Sequence, residues 1–250
     1  MMTGLSTMLA GISFPSCVMN ASGAWSGTHK ELRELAASAT GAVVIKTTTT
    51  QARVEDVKGC GIENPGQSYY LAVLAELRAT GKPIVGSVAG FTTAEYVALA
   101  QAYAQAEVQM VELNLSDPIL PCNRHGSCDL AAVDEVLTAV RAAVRTPLAV
   151  KLPALSEGVV GDAVECLRRH RIEVFACNTP QLSTFVPAIG GGIDIIAVGG
   201  VSNGQDTQEA LGRGAKAVQI GSALMKEGPG VFARIEQELR AERTTHATGA

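Results

Sequence analysis

The stretch PIVGSVAGFTTAEYVALAQAYAQAEVQMVELNLS, residues 83–116, contains the pattern that decides the fold. Its two ends, PIVGSVAG (83–90) and MVELNLS (110–116), are continuous apolar runs, typical of parallel strands that are covered on both faces. Between them, TTAEYVALAQAYAQA (92–106) has a helical pattern. A strand, a helix and a second strand in this order predict a parallel βαβ unit.

The same alternation extends in both directions and covers the chain. The other strand-like runs are VMNASG (18–23), AVVIKTTT (42–49), PLAVKLP (147–153), VFACNT (174–179), DIIAVGG (194–200) and AVQIGSAL (217–224). The other helical patterns are THKELRELAASA (28–39), YYLAVLAELRA (69–79), LAAVDEVLTAVRAAV (130–144), VVGDAVECLRRHR (159–171), the short STFVPAI (183–189), GQDTQEALGRGA (204–215) and PGVFARIEQELRAE (229–242).

Eight strand-then-helix units in 250 residues predict a closed (β/α)8 TIM barrel. No GxGxxG motif follows the first strand, which argues against an open dinucleotide-binding sheet. We expect residues 1–250 to form this single domain, with residues 244–250 as a frayed tail.

Composition narrows the class of function. The formal net charge is −4 and no basic run is present, so the positive footprint of a nucleic-acid-binding protein is missing. No apolar run reaches the roughly 18 residues of a membrane span, and the first residues lack signal-peptide features. Six scattered cysteines and four histidines show no metal-ligand spacing. We expect a cytoplasmic protein with reduced thiols that acts on a small molecule, without metal, membrane or nucleic acid.

Polar residues occupy the C-terminal ends of the predicted strands, where barrels carry their active sites. Loop capping explains such residues singly, but two lysines at the ends of buried strands favour an anionic or electron-rich ligand. The two longest βα loops, 50–68 and 117–129, lie on the same face. The strand-end residues are Asn20, Ser22, Lys46, Asn114, Ser116, Lys151, Asn178 and Thr179.

Glycines follow the last two strands, as Gly199-Gly200 and Gly221-Ser222. Glycine lets backbone N–H groups approach an anion closely, and barrels often bind phosphate at this position. The pattern therefore predicts a phosphate site, and plain turn glycines are the alternative.

Several motifs resemble those of the soluble class 1 dihydroorotate dehydrogenases. They are MNASG (19–23), IKTTT (45–49), NPGQSYYL (64–71), NLS (114–116), VKLP (150–153), VGGVSNGQD (198–206) and IGSALMKEGP (220–229). The resemblance covers nearly the whole chain. It implies an FMN flavoprotein that oxidises dihydroorotate to orotate in pyrimidine biosynthesis. Class 1A members are homodimers and pass electrons to fumarate, so we expect a homodimer.

The resemblance also assigns residues to the cofactor. The residues that would line the isoalloxazine are Ala21, Ser22 and Gly23. The lysines that would approach the ring are Lys46 and Lys151. The residues that would hold the phosphate are Gly199, Gly200, Gly221 and Ser222.

The substrate side departs from the family pattern. Where the family reads NLSCPN with a cysteine base, this chain reads NLSDPI, so Asp117 stands at the position of the base. Capping of the loop at Pro118 is the alternative role for Asp117, and Cys122 and Cys60 are the alternative bases. We assign catalysis to Asp117 and Lys46, and substrate binding to Asn114, Lys58, Asn178 and Gln181. Because family amides are replaced here, the substrate is expected to differ from dihydroorotate.

The sixth unit is short, with only residues 179–198 between Asn178 and Gly199. The family has a long hairpin, a GGxGG phosphate loop and a full helix in this place. Gly190-Gly191-Gly192 is either a remnant of that loop or a connection to the seventh strand, in which case one phosphate contact is lost. Two alternatives stay open: a flavin-free isomerase or lyase that uses Lys46 or Lys151 on a phosphorylated ligand, and a non-catalytic barrel relative.

Overall fold

A computed structural model describes residues 5–53, 63–124 and 127–248. Eight parallel strands form one sheet in the order β1-β8-β7-β6-β5-β4-β3-β2, which confirms the predicted barrel. The strands are β1 (Val18–Asn20), β2 (Val43–Val44), β3 (Ile84–Val88), β4 (Met110–Asn114), β5 (Leu148–Lys151), β6 (Val174–Asn178), β7 (Asp194–Val198) and β8 (Ala217–Ile220).

A helix follows each strand, and its inner face packs on the sheet. The predicted short helix after the sixth strand is present, preceded by a 3₁₀ turn at Thr179–Gln181. The helices are α1 (His29–Ala37), α2 (Gln67–Arg78), α3 (Thr93–Gln105), α4 (Leu130–Ala143), α5 (Glu157–Arg169), α6 (Leu182–Ile189), α7 (Gly204–Gly212), α8 (Ser222–Glu227) and α9 (Gly230–Thr248). The last helix continues to Thr248 and so includes most of the segment expected to fray.

Two short hairpins lie outside the barrel and were not predicted. Thr7–Leu9 pairs with Ile12–Phe14 before β1, and Asn123–Arg124 pairs with Ser127–Cys128 in the loop between β4 and α4. In strands of two or three residues, apolar alternation is too short to be recognised in the sequence.

The seam between β1 and β2 is closed by a side chain. The Asn20 amide donates to the Val44 carbonyl oxygen at 2.7 Å, and its Oδ1 accepts from the Val44 N–H at 2.9 Å. On either side, the Gly41 N–H donates to the Val18 oxygen and the Thr47 N–H donates to the Ser22 oxygen, each at 2.8 Å. Asn20, which the sequence placed at the active face as a candidate polar residue, therefore acts as part of the sheet.

A glycine allows the chain to pass close beneath this seam. A Cβ atom at Gly41 would lie 2.0 Å from the Ser16 carbonyl oxygen, so no larger residue fits without moving backbone.

In the described part of the chain, none of the helices has both the length and the apolar character of a membrane span.

Candidate functional site

The closed barrel brings the strand-end residues together at one rim. Asn114 lies opposite Lys151 in the β4–β5 ladder, and Lys151 lies opposite Ala176 in β6. On the other side of the barrel, the Ala21 N–H donates to the Ile220 oxygen at 2.9 Å. The loops after β1 and β8 are thus adjacent, and a Cβ atom at Gly221 would lie 4.0 Å from that of Ala21.

A buried polar network lies beneath this rim, with Thr47 at its centre. The Thr47 hydroxyl lies 3.3 Å from the Ser22 hydroxyl and 3.0 Å from that of Ser87, and it accepts from the Asn114 amide at 3.2 Å. Ser87 in turn donates to Glu112 at 2.9 Å. Because these partners restrict their rotation, Ser22 and Asn114 are held in place at the base of the site.

The network continues into the barrel interior, where sequence reasoning found nothing. Glu112 is fully buried, and its second carboxyl oxygen accepts from the Gln219 amide at 2.8 Å. The available signal was a polar residue in the middle of an apolar run, as in MVELN and AVQI. Such a residue must be hydrogen-bonded inside the barrel, because an unpaired buried polar group is costly.

Asn114 has most of its hydrogen-bonding capacity committed to the protein. Its Oδ1 accepts from the Ser116 N–H at 3.1 Å and from the Ser116 hydroxyl at 2.7 Å. Its backbone oxygen accepts from the Tyr96 hydroxyl at 2.8 Å. The described residues provide an acceptor for one of its two amide hydrogens, the one donated to Thr47.

Lys151 ends β5 as a half-buried cation. Among the residues that the structure describes, it forms no ion pair, in contrast to Lys30 and Lys216. A half-buried ammonium without a carboxylate favours an anionic or electron-rich ligand at this point of the rim.

Lys46 lines a cavity of about 590 Å³ next to the loop that follows β2. Arg53, Glu63 and Tyr69 line the same cavity, and none of the three was selected from the sequence. The Arg53 guanidinium lies 4.7 Å from the centre of the Phe91 ring. This cation–π contact links the loops after β2 and β3.

The base of that loop is fixed by backbone pairing. The Arg53 N–H donates to the Asn64 oxygen at 2.7 Å, and the Asn64 N–H donates back to the Arg53 oxygen at 3.1 Å. Lys58, the predicted substrate-binding residue of this loop, lies outside the described residues, as does Cys60.

Asp117 is buried in the loop after β4, with 8% of its surface exposed. Its Oδ1 accepts from the Ile119 N–H at 3.2 Å, and its backbone oxygen accepts from the Leu120 N–H at 3.0 Å. This geometry is that of the loop cap, the alternative role named above.

Burial raises the pKa of neighbouring Tyr96 well above its ordinary value, with smaller contributions from Cys122 and Asp117.

A second cavity of about 490 Å³ lies at the ends of β6 and β7. Its lining includes Asn178 and Gln181, which the resemblance assigned to substrate binding, and Gly199 and Gly200, which it assigned to the phosphate. The Gln181 amide, however, is bonded to Leu155: it donates to the backbone oxygen at 2.6 Å and accepts from the N–H at 3.2 Å. Gln181 can contact a ligand through its amide only if these bonds break.

The glycine triplet does not belong to this cavity. Gly190 ends α6 in the left-handed conformation with φ of 57°, and residues 190–192 connect α6 to β7. An α-to-β connection lies at the N-terminal face of a barrel. The triplet is therefore the connection, and its interpretation as a remnant of a phosphate loop is wrong.

The Cys177 thiol has a raised pKa. Cys177 immediately precedes Asn178 in β6, and burial raises its pKa to about 12. Because the thiolate is the reactive form, we expect iodoacetamide at pH 8 to leave Cys177 unmodified in the native protein and to modify it in denaturant. Peptide mass mapping measures this. Equal modification rates in both states would contradict the burial on which the raised pKa depends.

A model of the dihydroorotate dehydrogenase family matches residues 4–187 and 176–242. The two matched segments overlap at residues 176–187, so the match is not continuous through the shortened sixth unit. A Streptococcus uberis protein named "Putative dihydroorotate dehydrogenase A (fumarate)" is 28% identical over 289 residues, covering 96% of this chain and 93% of that protein. A protein of the same name from Streptococcus agalactiae is 29% identical with the same coverage. Because 289 exceeds the 250 residues present here, these alignments contain gaps in this chain.

Solved structures agree in fold. The crystal structure of DHODH in complex with ferulenol from Eimeria tenella has a TM-score of 0.83 at 15% identity, covering 97% of this chain and 85% of that chain. Ligand-free DHODH from the same organism has a TM-score of 0.80 at 16% identity, covering 94% and 86%. At such identities, the likeness establishes the barrel and its connectivity.

Proposed function

The chain belongs to the dihydroorotate dehydrogenase family, and from this premise we propose that it is an FMN-dependent oxidoreductase that acts on a CH–CH bond. The observation that carries the proposal is the set of residues at one rim: Thr47 links Ser22 to Asn114, and Lys151 lies opposite Asn114 without an ion pair to any described residue. The positive-φ glycines Gly199 and Gly200 follow β7 at the same rim. Dihydroorotate and pyrimidine biosynthesis are the first substrate and role to test. The homodimer and the cytoplasmic location remain predictions.

The residues present fit FMN. Gly199 and Gly200 have φ of 89° and 74°, a conformation that other residues rarely adopt. A Cβ atom at either position would meet nothing within 4 Å, so the space in front of their backbone is open. Lys151 supplies a cation at the rim, and a Cβ atom at Gly23, in the loop after β1, would meet nothing within 4 Å, which leaves space for a ligand there.

Bound FMN supplies two-electron hydride chemistry that no side chain of this protein can perform. The protein contributes position, charge and a proton acceptor. Lys151 would hold positive charge where negative charge develops in the reaction. The Thr47 network restricts the rotation of Ser22 and Asn114. Lys46, in the adjoining cavity, would contact the substrate and the ring.

Asp117 would accept the proton that leaves the substrate. It is buried at the rim in the loop after β4, at the position of the family's cysteine base. One carboxyl oxygen is bonded to the Ile119 N–H, which orients the group. The Asp117 carboxylate is the group that would take the proton.

The visible absorption spectrum of the purified protein, with FMN added if the protein is colourless, tests the cofactor. Bands of bound flavin at one equivalent per chain support the proposal, and anaerobic bleaching by dihydroorotate then tests the substrate. Bound flavin with no bleaching by dihydroorotate or other dihydropyrimidines would favour an altered substrate or a non-catalytic relative. Failure to bind added FMN would contradict the flavoprotein assignment and leave the flavin-free alternatives.

Asp117→Asn keeps the loop bond to the Ile119 N–H but removes the proton acceptor. We expect the rate of substrate oxidation to fall by about 10²–10⁴-fold, with FMN binding unchanged, because general bases contribute on that scale. Stopped-flow measurement of flavin reduction checks this result. Asp129→Asn is the matched control, because Asp129 caps α4 and asparagine caps helices equally well. An Asp117→Asn variant with the wild-type rate would show that Asp117 only caps its loop.

A further inference from the structure

We propose that Arg213 and Thr179 form, with the backbone of Gly199 and Gly200, the site for the phosphate group of the cofactor. The inference rests on the proposed function and adds two side chains to the glycines that the sequence assigned to phosphate. All four residues line the cavity of about 490 Å³ at the ends of β6 and β7.

Thr179 provides a hydroxyl that lacks a hydrogen-bond partner among the described residues. It begins the 3₁₀ turn directly after β6, and its Oγ1 is buried without a hydrogen bond to any described residue. A buried hydroxyl without a partner lowers stability. Rotation of the Thr179 side chain about its Cα–Cβ bond would turn this hydroxyl into the cavity, where an oxygen of a ligand would satisfy it.

Arg213 provides the charge. It lies at the C-terminal end of α7, and its Nη2 atom reaches to 3.5 Å from the Pro180 oxygen beside the cavity. Among the described residues that line the cavity it is the one cation, and no carboxylate within the described ranges neutralises it. A guanidinium presents a planar set of N–H donors that matches the oxygens of a phosphate.

Gly199 and Gly200 complete the site from the neighbouring strand, β7. Both are exposed and line the cavity, and both have the positive φ that residues other than glycine rarely adopt. No neighbouring atom lies where a side chain would be, so close packing does not explain the glycines. Their conformation and the open space together favour a bound group.

The position of the site explains the choice of side chains. The family match is not continuous through residues 176–187, and the chain has only residues 179–198 between Asn178 and Gly199. A backbone loop that would approach the phosphate from this side is therefore shortened. Thr179 and Arg213 border the gap and replace its N–H donors with a hydroxyl and a guanidinium.

The test compares FMN with riboflavin, which lacks the phosphate, by flavin fluorescence quenching on flavin-depleted full-length protein. Wild type should bind FMN more tightly than riboflavin. Arg213→Ala should weaken FMN binding by about 10–100-fold and leave riboflavin binding unchanged, because only the charge-assisted phosphate contact is lost. Thr179→Val should weaken FMN binding by about tenfold, whereas Thr179→Ser should not. Arg145→Ala, at an exposed arginine between α4 and β5, is the matched control.

Each outcome bears on the inference. If wild type prefers FMN and Arg213→Ala retains that preference, the inference is overturned while the flavoprotein proposal stands. If neither flavin binds, the flavoprotein proposal fails, and inorganic phosphate becomes the probe. Stabilisation of wild type by phosphate in a thermal unfolding experiment, absent in Arg213→Ala, would then support the anion site independently of flavin. If phosphate stabilises neither wild type nor Arg213→Ala, both the flavoprotein proposal and the anion site are rejected.

Discussion

Lys151→Met is expected to slow reduction of the bound cofactor by about 10²–10³-fold, the effect of removing one preorganised charge from a reacting centre. The ammonium is half-buried, lies opposite Asn114 in the sheet and has no carboxylate partner in the described part of the chain. It is therefore available to stabilise negative charge that develops at the rim. Stopped-flow kinetics with dihydroorotate, or with the substrate that replaces it, measures the effect.

A second readout of the same variant does not depend on the substrate. Loss of about 1.5–3 kcal/mol of charge-assisted stabilisation lowers a two-electron midpoint potential by about 30–60 mV. The Lys151→Arg variant should have a midpoint potential close to that of wild type, because arginine keeps the positive charge. Lys30→Met, at an exposed lysine on α1, is the matched control. A Lys151→Met protein with wild-type potential and rate would show that Lys151 only packs at the end of β5.

Asn20→Ala is expected to lower the free energy of unfolding by about 4 kcal/mol, a large part of the 5–15 kcal/mol typical of a domain. The Asn20 amide makes two bonds to the backbone of Val44, at 2.7 and 2.9 Å, in a position with no exposed surface. Its removal leaves a buried N–H and a buried carbonyl without partners, each at a cost of about 1–3 kcal/mol. Urea unfolding monitored by circular dichroism measures the loss.

Asn203→Ala is the comparison for this variant. Asn203 caps α7 through its bond to the Asp206 N–H, and loss of a helix cap typically costs about 1 kcal/mol. If Asn20→Ala destabilised the protein by no more than Asn203→Ala, the seam between β1 and β2 would not depend on the side chain. If it also released bound FMN at temperatures well below unfolding, the seam would be coupled to the rim above it.

The fold was largely predictable, because each of its determinants is local. The apolar runs at 83–90 and 110–116 became β3 and β4, and even the eight-residue helix α6 appeared where its pattern predicted. The departures have physical reasons. β2 has two ladder residues, both paired with β3, and its link to β1 runs through the Asn20 side chain, which no local pattern predicts. The short hairpins contain too few residues to show a period.

The site was predictable by position but not by contact. Asn114, Lys151, Gly199 and Gly200 lie at the rim because strand ends in a closed barrel must meet there. The bonding state of each side chain depends on residues far along the chain, which no local pattern contains. Gln181 is held by Leu155, and Thr47 gathers Ser22, Ser87 and Asn114 from three other units.

The amino-acid sequence by itself determined the barrel, the face that carries the site and the family to which the chain is similar, because hydrophobic period and motif spacing are properties of neighbouring residues. Only the tertiary structure decided which polar residues support the barrel and which remain available. Asn20 is used in the seam and residues 190–192 form a connection. Within the described part of the chain, in contrast, Lys151 and Arg213 form no ion pair and the Thr179 hydroxyl has no hydrogen-bond partner. The reason is that hydrogen-bond satisfaction and charge pairing are settled between strands that closure brings together, across separations that the chain order does not reveal.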